Sequence, residues 1–265
     1  MWSPYEFNPL GFDPLRRLIT EKIDFDLVRQ SPLELLIAAT EVATGRPRLF
    51  RRDGLTVDAI LASACLPTLH HAVTIDGVAY WDGGFSANPD MVTLAMESPV
   101  EDTLLVQINP LIRHDLPTGA REISGHVNRL TFNAPLMRDV EIIETVRESM
   151  RGFGFFRRRL QGRLAALSKH RFHLIEAARY TGALSDESKM NADLELFNHL
   201  FGAGRVEADK WLDLHRDAVG RSETVDLKAR FLAHEAPIAP EDGPVTATSA
   251  RGFQEPEPQA APGAK

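Results

Sequence analysis

A single cysteine, Cys65, stands in the 265 residues. One thiol can neither close an internal disulfide nor build a thiolate zinc cluster, which excludes a disulfide scaffold and fits a reducing compartment. Long apolar runs are missing too: no stretch approaches the roughly 18 residues of a spanning helix. Residues 1–12 (MWSPYEFNPLGF) hold no basic run followed by an apolar block, so an ordinary secretory leader is not expected. Localisation is accordingly expected to be cytoplasmic, with peripheral contact at a membrane as the one variation. The nine histidines are scattered without the spacing of a metal site, and neither a metal nor a cofactor is expected.

What is present is ordinary globular material, 43% hydrophobic and 25% charged, enough for one large domain or two small ones. The net charge of −7 argues against nucleic acid as a partner, yet the charge is uneven. From Arg151 to Arg171 there are seven basic residues and no acidic one, so the rest of the chain carries −14. In that stretch Phe153, Phe155 and Phe156 lead into Arg157, Arg158 and Arg159, a combination suited to an anionic bilayer surface; a solvated helix face or connector is the plainer reading.

Prolines 4, 9 and 14 make the opening irregular, ahead of a helical pattern at Leu15, Leu18 and Ile19. Residues 33–42 read as a buried strand, and 49–52 as another that ends at Asp53-Gly54. Helical periodicity over 57–66 stops against Pro67. Extended runs at 72–75 and 78–81 flank Asp76-Gly77, a strong hairpin signal. Asn88-Pro89 reads as a helix cap with proline at the first helical position. Residues 103–109 look like a further buried strand, so strands and helices alternate as in an α/β sheet. Beyond it, Ile123, Val127, Leu130, Ala134 and Met137 mark an apolar helix face that Val140, Ile143, Val146 and Met150 extend, with a kink or break expected at Pro135. His173-Leu174-Ile175 reads as a short strand. Met190, Leu194, Phe197 and Phe201 form a second stripe closed by Gly202 and Gly204, and 206–219 a third; all three stripes are read as core.

The candidate chemistry sits at Asp82-Gly83-Gly84. On its residues alone this is a turn, in which glycine supplies positive φ and aspartate tolerates tight backbone geometry. The functional reading rests on position: a carboxylate at a strand end before a double-glycine turn lies where α/β enzymes place catalytic groups. His70-His71 stands nearby, but adjacent histidines on an extended segment point to opposite faces and cannot share one metal.

A resemblance makes the position specific. Ala62-Ser63-Ala64-Cys65-Leu66-Pro67, followed by Val73-Thr74-Ile75-Asp76-Gly77 and Tyr80-Trp81-Asp82-Gly83-Gly84, resembles the second half of the patatin-like phospholipase domain. So do residues 3–10 (SPYEFNPL), 38–45 (AATEVATG) and 105–110 (LVQINP), and the likeness runs on through 188–191 towards 224–227. The resemblance implies an α/β fold, an incomplete three-layer patatin-like sheet flanked by helices with extra C-terminal helices. It further implies a serine lipid acyl hydrolase that cleaves carboxylic esters of acyl lipids with a Ser-Asp dyad. Asp82 matches the dyad aspartate and Gly83 and Gly84 its turn.

The sequence departs from that pattern at the nucleophile: Gly-x-Ser-x-Gly occurs nowhere in the 265 residues, nor does a glycine-rich oxyanion loop. Ser63 and Ser86 are near Asp82 in sequence, but neither is on a strand-to-helix elbow. The expectation is therefore a gene fragment, a mis-assigned start or a degenerate copy, in which residues 1–234 form the C-terminal part of the domain plus a helical extension. The proline-, alanine- and glutamate-rich tail, 235–265, lacks the apolar content to fold. Such a chain would be inactive alone, or would act as a scaffold or interaction protein, and would self-associate through the exposed sheet.

Overall fold

The Asp76-Gly77 hairpin is the feature of the fold most directly dictated by sequence. Both residues take left-handed backbone conformations, φ 53° and 80°, as a two-residue turn between twisted antiparallel strands requires. The turn joins β3 (Val73–Ile75) to β4 (Val78–Asp82). In the computed structural model, which describes residues 2–108, 110–111, 116–151, 162–181 and 193–233, this hairpin is half of a four-stranded antiparallel sheet. Its order is β2-β1-β4-β3, with β1 spanning Leu36–Glu41 and β2 Pro47–Arg51. The register sets Ala39 opposite Asp82 and Thr40 opposite Trp81.

Helix α4 (Val57–Ser63) packs on this sheet. Thr56 caps it by accepting the Ala59 N–H, and its buried Ala59 and Ala62 let backbone and sheet approach closely. The resulting core holds Ala39, Phe50, Leu55, Ala59, Ala62 and Tyr80. Three short helices precede the sheet, α1 (Pro4–Phe7), α2 (Pro14–Lys22) and α3 (Phe25–Gln30). The opening is thus more regular than its prolines suggest. Pro4 and Pro14 each start a helix, where the missing N–H would have had no intrahelical acceptor.

The second sheet has two strands, β5 (Asp102–Gln107) and β6 (Arg171–Glu176), paired in parallel. A parallel pair needs a crossover, which here contains α6 (Ala120–Arg151) and α7 (Arg163–Lys169). The α/β class expected from the alternation of elements is present, divided between an antiparallel and a parallel sheet. A second core joins Leu105 and Phe172 to Leu136, Val140 and Ile143 of α6, Met91 and Ala95 of α5 (Met91–Glu97), and Leu227 and Phe231 beyond. Helix α8 (Ala178–Thr181) follows β6, and α9 (Leu194–His215) lays Trp211 against His173.

Four sequence expectations need correction. The helix after Asn88-Pro89 begins at Met91, capped by Asp90, whose carboxylate accepts the Thr93 N–H. Helix α6 runs through Pro135 unbroken, because Pro135 and Leu136 are buried in the core and packing outweighs one lost backbone bond. Gly202 and Gly204 do not end a helix: α9 passes through both, each costing only about 1 kcal/mol relative to alanine. The apolar stripes are not uniformly core. Ile123, Val127 and Leu130 on the first half of α6 are exposed, as are Leu194, Phe197 and Phe201 on α9, and Leu104 and Val106 make β5 one-sided rather than buried. The arginine cluster 157–159, the 188–191 motif and the 235–265 tail lie outside the described residues.

Candidate active site

Asp82 ends β4, and two bonds to its backbone fix its place. Its N–H donates to Cys65 O at 2.9 Å, tying the strand end to the chain leaving α4. Its carbonyl accepts from Thr40 Oγ1 at 2.7 Å, and that hydroxyl also shares a 2.7 Å hydrogen bond with Ser86 Oγ. Thr40 and Ser86 are both buried, so β1 holds the residues on each side of the glycine turn. The turn itself, Gly83–Phe85, is a single 3-10 turn capped by Asp82, whose Oδ1 accepts the Gly84 N–H at 2.7 Å. Among the described residues no donor reaches Oδ2.

The glycines serve a purpose different from the one their sequence context suggests. Neither has positive φ. A Cβ on Gly83 would stand 2.2 Å from Ala38 O and 2.6 Å from Ala38 C, inside the backbone of β1. A Cβ on Gly84 would stand 2.4 Å from the Phe132 ring and 3.1 Å from Asp82 Oδ1. Close approach, not handedness, is what demands glycine here.

Asp82 borders a cleft of about 470 Å³ whose walls include Leu36, Ile37, Ile60 and Leu94. Burial among these groups raises the Asp82 carboxyl above the usual range, opposed by the Gly84 N–H and by the nearby His70. The cleft, largely apolar on its walls, is bordered by two carboxylates: Asp90 caps α5, whereas Asp82 Oδ2 has no donor among the described residues, so the cleft can accommodate an apolar chain and place Asp82 beside it as a proton acceptor. Ser63 borders the same cleft from the end of α4. Ser86 does not, being occupied with Thr40.

The other histidine of the pair, His71, is a packing residue: Tyr5 stacks on it at 4.2 Å, and its Nε2 bonds Pro4 O. A second cavity, of about 280 Å³, lies on that side between α2 and the hairpin, bordered by Asp13, Arg16, Cys65 and His70. Burial pushes the Cys65 thiol up to about 11, and its Sγ donates to His71 O. A thiol so protonated is a packing group rather than a nucleophile. Among the described residues no group of three or more His, Cys, Asp or Glu could hold a metal ion, and no helix is long and apolar enough to cross a membrane.

Several residues that shape the site were not singled out in the sequence. Phe132 of α6 closes over Gly84, its ring 4.7 Å from that of Phe85, and its carbonyl accepts from Asn88 Nδ2. Arg138 donates to Ser86 O. Asp139, buried, accepts the Met91 and Val92 N–H groups and so fixes α5 against α6. Asp139 had a signal, since it occupies a core position, three residues after Leu136 and four before Ile143. Phe132 had none, because its role depends on two elements far apart in sequence.

An α/β frame thus delivers a half-buried carboxylate to a largely apolar cleft. Residues 10–95 match a family model described as patatin-like phospholipase. The matched span includes β1 to β4, α4 and the Asp82-Gly83-Gly84 turn, so the segment that builds the cleft is the part of the chain that is similar to that family. No curated protein matches the chain.

Proposed function

We propose that this chain supplies the aspartate of a Ser-Asp dyad in a patatin-like lipid acyl hydrolase. The observation that carries the reading is the state of Asp82: one carboxylate oxygen is held by the Gly84 N–H, the other has no donor among the described residues, and the group borders a largely apolar cleft. A serine hydroxyl beside Oδ2 would give its proton to Asp82 as it attacks the ester carbonyl. Asp82 would return that proton to the departing alcohol, leaving an acyl-enzyme. It would then take a proton from the water that releases the fatty acid and restore it to the serine. Desolvation makes the carboxylate a better base than an exposed aspartate.

The serine is the missing partner. No Gly-x-Ser-x-Gly stands in the 265 residues, so the nucleophile would come from an elbow outside them. That same fact favours a second reading, a non-catalytic remnant that keeps the scaffold. One experiment separates the two. The coding DNA ahead of Met1 is read for an in-frame Gly-x-Ser-x-Gly, and the longer product is assayed on p-nitrophenyl esters with and without Asp82→Asn. Loss of most turnover in the variant supports the dyad; absence of any in-frame elbow supports the remnant. Peripheral contact of the arginine cluster with anionic lipid, and self-association through open sheet edges, belong to the same proposal.

A further inference from the structure

The outer edge of β5 is open. Bonds to β6 use the odd-numbered residues: Arg171 N–H donates to Glu101 O and Ala177 N–H to Gln107 O, at either end of a register from Asp102↔Arg171 to Gln107↔Glu176. In a parallel ladder of that phase the N–H and C=O groups of Asp102, Leu104 and Val106 point away from β6. Among the described residues no strand pairs with them. Leu104 and Val106 are 44% and 59% exposed, and Ile108 continues the row at 62%. On the same face of the sheet α9 lies over β6, where Trp211 meets His173 edge-on at 5.7 Å, while β5 beside it stays uncovered.

Edge strands normally carry devices against pairing, such as lysine, proline or a bulge. Residues 102–107 carry none. Their one charge, Asp102, turns inward: its carboxylate accepts from Arg171 Nε and Nη2 at 3.0 and 2.6 Å, from His173 Nε2 at 3.1 Å and from the Gly220 N–H at 3.0 Å. The edge is therefore aliphatic, uncharged towards solvent and rich in free backbone groups.

We propose that this edge pairs with the same edge of a second copy, antiparallel about a twofold axis at Leu105. That register gives Leu104 and Val106 of opposite copies a reciprocal pair of main-chain hydrogen bonds, which the axis repeats. It also sets Leu104 against Val106 as an aliphatic cross-strand pair. A second copy fits because the edge complements itself: no like charges meet across the axis, and each aliphatic side chain finds another. The pairing deepens the self-association part of the functional reading and is independent of chemistry at Asp82.

Light scattering on the 265-residue chain over a dilution series tests it, with native-state hydrogen exchange as the local readout. The expected result is twice the chain mass at the concentrated end, with the Leu104 and Val106 amides protected alongside Leu105. Val106→Pro removes an outward donor and leaves the β6-directed donors at 103, 105 and 107. Leu104→Lys puts a charge on the seam. Both variants are expected to run as monomers, and in Leu104→Lys the Val106 amide should exchange roughly tenfold faster or more while Leu105 stays protected. That protection also shows that the variant is folded. A wild-type chain that is monomeric throughout, or a dimer that survives Leu104→Lys with the Val106 amide fast, would overturn the proposal. Neither outcome bears on ester hydrolysis, which is read separately.

Discussion

The Phe132 ring fills the space in which a side chain on Gly84 would begin, 2.4 Å from where its Cβ would stand. A helix from the parallel half of the molecule thereby fixes the turn that presents Asp82 from the antiparallel half. The two glycines of that turn face different neighbours, and their substitutions should differ accordingly. Gly83→Ala drives a methyl into the β1 backbone, which cannot move aside, and should cost about 1–3 kcal/mol. Gly84→Ala meets the far end of a side chain instead. It should cost less, and Phe132→Leu should recover part of the loss. Chemical denaturation of the two single variants and of the Gly84→Ala/Phe132→Leu double variant checks both statements; equal costs at 83 and 84 would refute them.

Asp82 is expected to trade stability for its position. Burial raises its carboxyl in the folded state, so the folded form binds that proton more readily than the unfolded chain does. Above the folded value the charge is desolvated and opposes folding, and this opposition fades as pH falls through the folded value towards the unfolded one. Asp82→Asn keeps an acceptor for the Gly84 N–H and discards the charge. The variant should therefore melt higher than wild type at neutral pH, and the gap should narrow on acidification. A lower melting temperature at pH 7 would mean that Oδ2 has a partner after all.

Asp102 behaves in the opposite sense. The bidentate Arg171 guanidinium, joined by the Gly220 N–H and His173, holds its carboxyl far below the usual carboxylate range. Its contribution is complete at neutral pH and is lost only as pH falls below the ordinary aspartate value of about 3.9. Arg171→Gln should destabilise the protein at pH 7, because it takes the bidentate partner away from the Asp102 carboxylate. The penalty should shrink at strongly acidic pH. Urea midpoints at the two pH values measure it.

Asp139 caps α5 from a distance. Asp139→Ala leaves the buried Met91 N–H without its acceptor and should cost about 1–3 kcal/mol, whereas Asp139→Asn retains an acceptor oxygen and should cost less. Hydrogen exchange at the Met91 amide reports the local effect.

Much of the site was legible because its signals are local. Asp76-Gly77 dictates a hairpin by backbone conformation alone, and α4 follows from Thr56 and a short periodic run. Asp82 falls at the end of β4 because the hairpin fixes where the strand stops. What escaped was long-range. The division into two sheets depends on which strands pair, and pairing is set by tertiary register rather than by any one segment's pattern. The stripes at Leu194, Phe197 and Phe201 and at Ile123, Val127 and Leu130 have helical spacing and form helices, yet periodicity says nothing of what stands opposite. Gly83 and Gly84 read as conformational glycines from sequence because Asp-Gly marks turns nearby, yet of the glycines in those pairs only Gly77 takes positive φ, and the positions of Ala38 and Phe132 reveal a steric reason at 83 and 84.

The Asp82 turn would keep its shape with an amide at position 82, since the Gly84 N–H needs only one acceptor oxygen, and the neutral side chain would sit more comfortably among Leu36, Ile37 and Leu94. Asparagine at position 82 would therefore leave the turn intact while removing the negative charge that the proposed dyad needs, which makes residue 82 the place to look when variants of this chain are compared.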